Sequence, residues 1–253
     1  MNFPTVPSRR AGAALLVVPT LLGVLAGCGS APKEIDPTGV DELVIPTPDP
    51  DPQDFVEGID NPYLPLVPGS VWKYTSTSPE GDETIVVTVT DQTKVVAGIT
   101  ATVVHDVATD PTGKVLEDTY DWYAQDTAGN VWYLGEDTTA YDGKKTSKEG
   151  SWEAGVDGAE AGLAMPAEPR VGDGYAQEYL KGVAEDRGEI LATDATVSIG
   201  YGDYDDVVRT EDTTPLEPGL VEQKYYAPGV GVVMEKTVQG GEELVELVEF
   251  TAG

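Results

Sequence analysis

Apolar and polar residues alternate with a period of two through much of the chain. In residues 83–96, Ile85, Val87 and Val89 alternate with Val86, Thr88 and Thr90, a β-branched pattern that predicts a strand. Residues 71–74 form a strand before it, Gly98 turns the chain, and residues 99–109 alternate again. Residues 114–125 and 130–136 complete a five-strand meander. Its last two strands make a hairpin, residues 118–137, whose aromatic runs flank a turn from Asp126 to Asn130 that contains Gly129. Ahead of the meander, Pro62, Pro65 and Pro68 exclude helix from residues 60–69 and predict a pinned loop.

The same order recurs after Gly172. Gly69 and Trp72 correspond to Gly172 and Tyr175, Asp91 and Thr93 to Asp194 and Thr196, and Trp122-Tyr123-Ala124 to Tyr225-Tyr226-Ala227, all at an offset of 103 residues. A second aromatic hairpin falls at residues 223–237. The expected fold is therefore all-β: an antiparallel meander with a curved sheet, half-barrel or barrel-like, built from two duplicated units at about residues 66–137 and 169–253. Residues 242–251 add one more alternating strand. Residues 138–168 lie between the units as an insert that allows a short helix at most, because its Ala-rich stretch also holds glycines and a proline. Leu163, Ala164 and Met165 are its expected buried contact.

The N-terminus departs from this pattern. Arg9 and Arg10 precede an apolar run that ends in Leu25-Ala26-Gly27-Cys28. A basic head, a short apolar segment and small residues predict an export signal over residues 1–27. The last four residues resemble the lipobox of bacterial lipoproteins. That resemblance implies cleavage before Cys28, acylation of its thiol with fatty acids such as palmitate, and a location at the cell membrane outside the cytoplasm. Residues 28–54, rich in Pro and Asp, read as an extended tether, and residues 55–253 as the β domain. Cys28 is the only cysteine, so no internal disulfide can form. Without residues 1–27 the chain keeps 13 basic and 45 acidic side chains, a net charge of −32. Such a chain excludes nucleic acid as a partner.

Candidate chemistry is sparse. His105 is the only histidine, so a zinc cluster has no ligands and a serine triad would depend on that one residue without a Gly-x-Ser-x-Gly elbow. No phosphate loop or dinucleotide fingerprint occurs, and no cofactor is expected. Asp203, Asp205 and Asp206 crowd one turn and are weak candidates for calcium. The aromatics are the larger feature. Trp122, Tyr123, Trp132, Trp152 and Met165 are the candidate binding residues, either paired across strands in a core or lining one face of a groove.

Asp60-Asn61-Pro62-Tyr63 with Pro68-Gly69, the run YDWYAQDTAGNVWYLGED, SWEAGVDG at 151–158 and YYAPGVG at 225–231 resemble a group of uncharacterised bacterial secreted proteins and lipoproteins. The group supplies no catalytic residue to carry over. An acylated N-terminus before an antiparallel meander is also similar in architecture to the half-barrels of periplasmic and mycobacterial lipid-carrier lipoproteins. The expectation is a lipid-anchored, non-enzymatic binding module for a hydrophobic or envelope ligand. The alternatives are a structural or protein-interaction module of the envelope and, more weakly, a carboxylate-dependent hydrolase.

Overall fold

The computed structural model describes residues 39–253. The signal segment and Cys28 lie outside these residues. After two 3-10 turns, Gly39–Glu42 and Pro52–Asp54, and a short strand β1 (Phe55–Val56), the first meander comprises β2 (Val71–Ser78), β3 (Gly81–Val96), β4 (Ile99–Thr109), β5 (Val115–Asp126) and β6 (Val131–Asp142). The insert supplies β7 (Lys145–Ser147), β8 (Trp152–Glu153) and β9 (Gly162–Met165). The second meander is β10 (Gly174–Ala176), β11 (Arg187–Ile199), β12 (Gly202–Thr213), β13 (Val221–Ala227) and β14 (Gly231–Gln239), followed by β15 (Leu244–Thr251).

All these strands belong to one antiparallel sheet in the order β10-β11-β12-β13-β14-β15-β2-β3-β4-β5-β6-β7. Each meander keeps its sequence order, and the last strand of the chain joins them. β15 pairs with β14 through Glu235↔Val245 and with β2 through Leu247↔Tyr74 and Phe250↔Trp72. The Trp72 and Phe250 rings stack at 5.1 Å, and the Trp72 indole N–H donates to Val230 O at 2.7 Å. One aromatic side chain thus ties the first strand of one meander to the last hairpin of the other.

The sheet is open, since its terminal strands β10 and β7 do not pair, yet it is strongly curved. β9 pairs with β6 at one end of the order. A Cβ at Gly162 of β9 would lie 2.1 Å from Gln177 O, just beyond β10 at the other end, and Glu160 N–H donates to Tyr179 O at 2.8 Å. A flat sheet with strands about 4.8 Å apart would hold those ends tens of ångströms apart. Curvature brings them together, and the glycine admits the close approach. The concave inner face carries Trp72, Tyr74, Tyr123, Tyr133 and Tyr226, all essentially unexposed.

Two expectations change here. The Ala-rich stretch of the insert forms strand β9 and no helix; Leu163, Ala164 and Met165 are buried in it, as the sequence predicts. The described part of the tether, residues 39–54, also touches the domain. Thr47 and Ala161 exchange backbone hydrogen bonds of 2.9 and 3.0 Å, and Asp41 pairs with Arg170 at 2.7 Å. Its backbone groups and carboxylate find partners on the insert side, which proline content alone does not reveal.

The pinned loop acts as a clamp at one end of the sheet. Asn61 Nδ2 donates to Gly129 O (3.0 Å) and Pro166 O (3.1 Å), while Asn61 Oδ1 accepts from Tyr63 N–H (2.9 Å). The next residue reaches the second hairpin, where Gly229 N–H donates to Pro62 O at 2.7 Å. The Asp-Asn-Pro-Tyr motif therefore holds both aromatic hairpins and the insert. Gly129 makes the first of those turns with φ +98°, a conformation that favours glycine.

Candidate functional site: an unpaired carboxyl cluster on the inner face

Alternation along β4, β5 and β6 places several acids on the concave face. Asp106 lies in phase with Val104 and Ala108 on β4; Glu117, Thr119, Asp121 and Tyr123 share the inner side of β5. Asp121 stands opposite Glu136, and Tyr123 opposite Tyr133. The bulge between these pairs sets one residue of β5, Trp122, against two of β6, Leu134 and Gly135. The Tyr133 hydroxyl lies between the acids, 2.6 Å from Asp121 Oδ1 and 2.8 Å from Glu136 Oε2.

That hydroxyl has one proton and two carboxyl neighbours. It can donate to only one of them, so the second short contact is satisfied when the other carboxyl carries a proton and donates to the tyrosine oxygen. The electrostatics agree. Burial pushes Asp121 up to about 6, against the Tyr133 hydrogen bond. Burial, with Glu178 and Asp121 nearby, holds Glu136 well above the carboxylate range. Asp106 is also raised well above it by burial and by the neighbouring charges of Asp121 and Glu117. It is 3% exposed, and neither of its side-chain oxygens has a hydrogen-bond partner. An unsatisfied buried carboxyl costs on the order of 1–3 kcal/mol or more.

The second meander carries a compensated version of this arrangement. Lys224 Nζ lies 2.8 Å from Asp212 Oδ2 and 4.0 Å from Glu235 Oε2, with all three residues buried. Burial would lower the lysine, but Asp212 and Glu235 outweigh it and keep the ammonium charged. The 2.8 Å contact is the ion pair. Glu235, at 4.0 Å, loses more to burial than it gains from Lys224, and its carboxyl is raised well above the usual range.

The sign of the pH response follows. Asp106, Asp121, Glu117, Glu136 and Glu235 all have raised folded-state pKa values, whereas in an unfolded chain they titrate near about 4. Their contribution to stability is complete below about pH 4 and is lost as pH rises through the folded values, near 6 for Asp121. Urea unfolding should show greater stability at pH 5 than at pH 8, by on the order of several kcal/mol. A protein more stable at pH 8 would contradict the assignment.

The structure separates the five candidate binding residues. Tyr123 stacks on Tyr133 at 4.6 Å, and Trp152 meets Tyr133 edge-on at 5.4 Å, so these join the inner cluster. Trp122 faces outward beneath Lys94, whose Nζ lies 3.1 Å from the ring centroid and pairs with Glu153 at 2.7 Å. Trp132 donates its indole N–H to Asp126 Oδ2 at 2.9 Å and packs edge-on against Phe55. Met165 is fully buried. All five side chains are enclosed by protein, and no single groove collects them.

His105 is structural in its contacts: it lies 3.0 Å from Asp118 Oδ1 and stacks on Tyr120 at 4.3 Å. Asp203, Asp205 and Asp206 are exposed at the start of β12. Among the described residues no three His, Cys, Asp or Glu side chains are placed to hold a metal ion.

The phase of β4 is what hides Asp106 in the sequence. Ile99, Ala101 and Val103 predict one buried phase, but opposite a bulge in β3 both Val103 and Val104 are buried and the phase changes to Val104, Asp106 and Ala108. An acid flanked at both second neighbours by small apolar residues was the available signal.

No helix among the described residues is long and apolar enough to cross a membrane. Among solved structures, a protein from Parabacteroides distasonis described as a "putative lipoprotein" is similar at 12% identity and a TM-score of 0.42, over 75% of this chain and 98% of that one. That likeness is too distant to carry an argument about function. No family model and no curated protein matches the chain.

Proposed function

We propose that the chain is a lipid-anchored, extracytoplasmic binding module of the cell envelope, without catalytic activity, built by duplication of a five-strand unit. Support for the anchor is the basic, apolar and Leu-Ala-Gly-Cys order that ends at Cys28. Support for duplication is the pair of five-strand meanders, whose hairpins share the same bulge. In β5–β6 the register runs from Asp121↔Glu136 to Tyr123↔Tyr133, and in β13–β14 from Lys224↔Glu235 to Tyr226↔Val232.

The observation that carries the binding reading is Asp106, buried with both oxygens unpartnered inside a cluster of further acids. A core serving stability alone is better served by apolar or paired groups. The enclosed aromatics give less support to a hydrophobic ligand than their number in the sequence suggests, and they leave a purely structural envelope module as the second reading. Asp106 and Asp121, 3% and 2% exposed, suit holding a proton or small cationic group better than attacking a polymeric substrate. Native mass spectrometry of full-length protein exposed to envelope extract tests the proposal. A retained small molecule is expected, and the unliganded mass alone would leave the structural reading in its place.

A further inference from the structure

The two halves carry the same three inner positions with one chemical difference. Asp106 pairs in register with Thr119 of β5, and Asp212 with Glu222 of β13. Thr119 and Glu222 are each two residues before the next inner position, Asp121 in one half and Lys224 in the other. Two further on come Tyr123 and Tyr226. Across the next strand, Asp121 faces Glu136 and Lys224 faces Glu235. Asp106, Asp121 and Glu136 therefore occupy the places of Asp212, Lys224 and Glu235. In the second half a lysine ammonium sits between two acids. In the first half those two acids remain, the lysine is an aspartate, and Asp106 has no partner for either oxygen.

We propose that this cluster is a binding site for the primary ammonium group of a small amine ligand, which takes the place that Lys224 Nζ holds in the second half. This rests on the binding-module reading and names its ligand class. Asp106 and Asp121 are electrostatic neighbours, and Asp121 and Glu136 share the Tyr133 hydroxyl, so their oxygens offer acceptors to the N–H donors of an ammonium group. Among the described residues no lysine or arginine acts on Asp106 or Asp121, and His105 acts on Asp121 only weakly. Within the cluster's reach Glu117 and Glu178 add negative charge. His105 lies on the other side of β4, paired with Asp118, and Lys148 pairs with Asp137 at the surface. Glu136 is the part-exposed member, and a Cβ at Gly150 of the insert would stand 3.5 Å from its Oε1.

Without the amine, the cluster is relieved by a proton shared through Tyr133. Amine and proton compete, and binding at pH near 6 releases a proton to buffer.

The test is calorimetric titration of full-length protein in detergent micelles with 1,5-diaminopentane. Saturable one-to-one binding is expected at pH 8, weaker by about tenfold at pH 5. Asp106→Asn should weaken it by about tenfold or more. Asp121→Lys, which writes the second half's lysine into the first, should abolish it. Should Asp121→Lys fail to fold, Asp106→Asn still decides. No saturable binding at pH 8, or equal affinity in wild type and Asp106→Asn, overturns the proposal. The envelope-extract experiment keeps the two ideas apart: a retained ligand without an amine removes this inference and leaves the binding module standing.

Discussion

A chain ending at Gly241 is expected to show no cooperative unfolding transition. The missing strand, β15, is the only one among the described residues that pairs with both meanders, through β14 on one side and β2 on the other. Its loss leaves two sheet edges unpaired in the middle of the fold. It also strips Val245 and Leu247, 2% and 0% exposed, from the inner face, at roughly 1.5–3 kcal/mol for each side chain. The stack of Phe250 on Trp72 and the bond from Gly253 N–H to Ser70 Oγ at 3.0 Å go with it. A domain's net stability is about 5–15 kcal/mol, so these losses together with the ladder bonds should exceed it. Near-ultraviolet circular dichroism on heating measures this. A sharp transition in the truncated chain would mean that each meander folds without the joining strand.

Lys224→Met should destabilise the protein by about 3–5 kcal/mol at pH 7.5, because it leaves Asp212 and Glu235 buried without their cation. The size of the methionine is close to that of the lysine stem, so packing changes little and electrostatics dominates. The loss should shrink at pH 5, where the orphaned carboxyls can take up protons. Urea unfolding at the two pH values measures both parts. A loss below about 1 kcal/mol at pH 7.5 would show that the lysine does not compensate these acids.

These two variants probe features of unequal legibility in the sequence. The strands themselves are written in local pattern: residues 83–96 and 99–109 predict nearly the spans that β3 and β4 occupy, because β-branched alternation is decided residue by residue. The turn at Gly129 and the spacing of the aromatic hairpins are equally local. The place of β15 is not, since alternation at Leu244, Glu246 and Val248 says that a strand forms there without saying what it pairs with. The clamp made by Asn61 is hidden for the same reason; its partners are backbone carbonyls distant in sequence.

The site was less legible than the fold. With 45 acidic residues in the chain, the three of this cluster make no compositional mark. Tyr123 and Trp152 belong to the neighbourhood that aromatic content suggested, but Trp122 and Trp132 face away from it because neighbours in a strand take opposite sides. Asp106 needed the phase change at Val103 and Val104, which depends on a bulge in the partner strand. The contrast between Asp121 and Lys224 sits in the sequence at the 103-residue offset of the hairpins. It acquires meaning only when the register puts an acid opposite each.

Carboxyl-carbon NMR titration of the full-length protein shows whether Asp106, Asp121 and Glu136 form a carboxyl cluster to which the described residues bring no lysine or arginine. All three are expected to titrate well above the ordinary carboxylate range, with Asp121 near 6 and with 1,5-diaminopentane moving the midpoints down. Midpoints near about 4 for all three, unchanged by the amine, would contradict it.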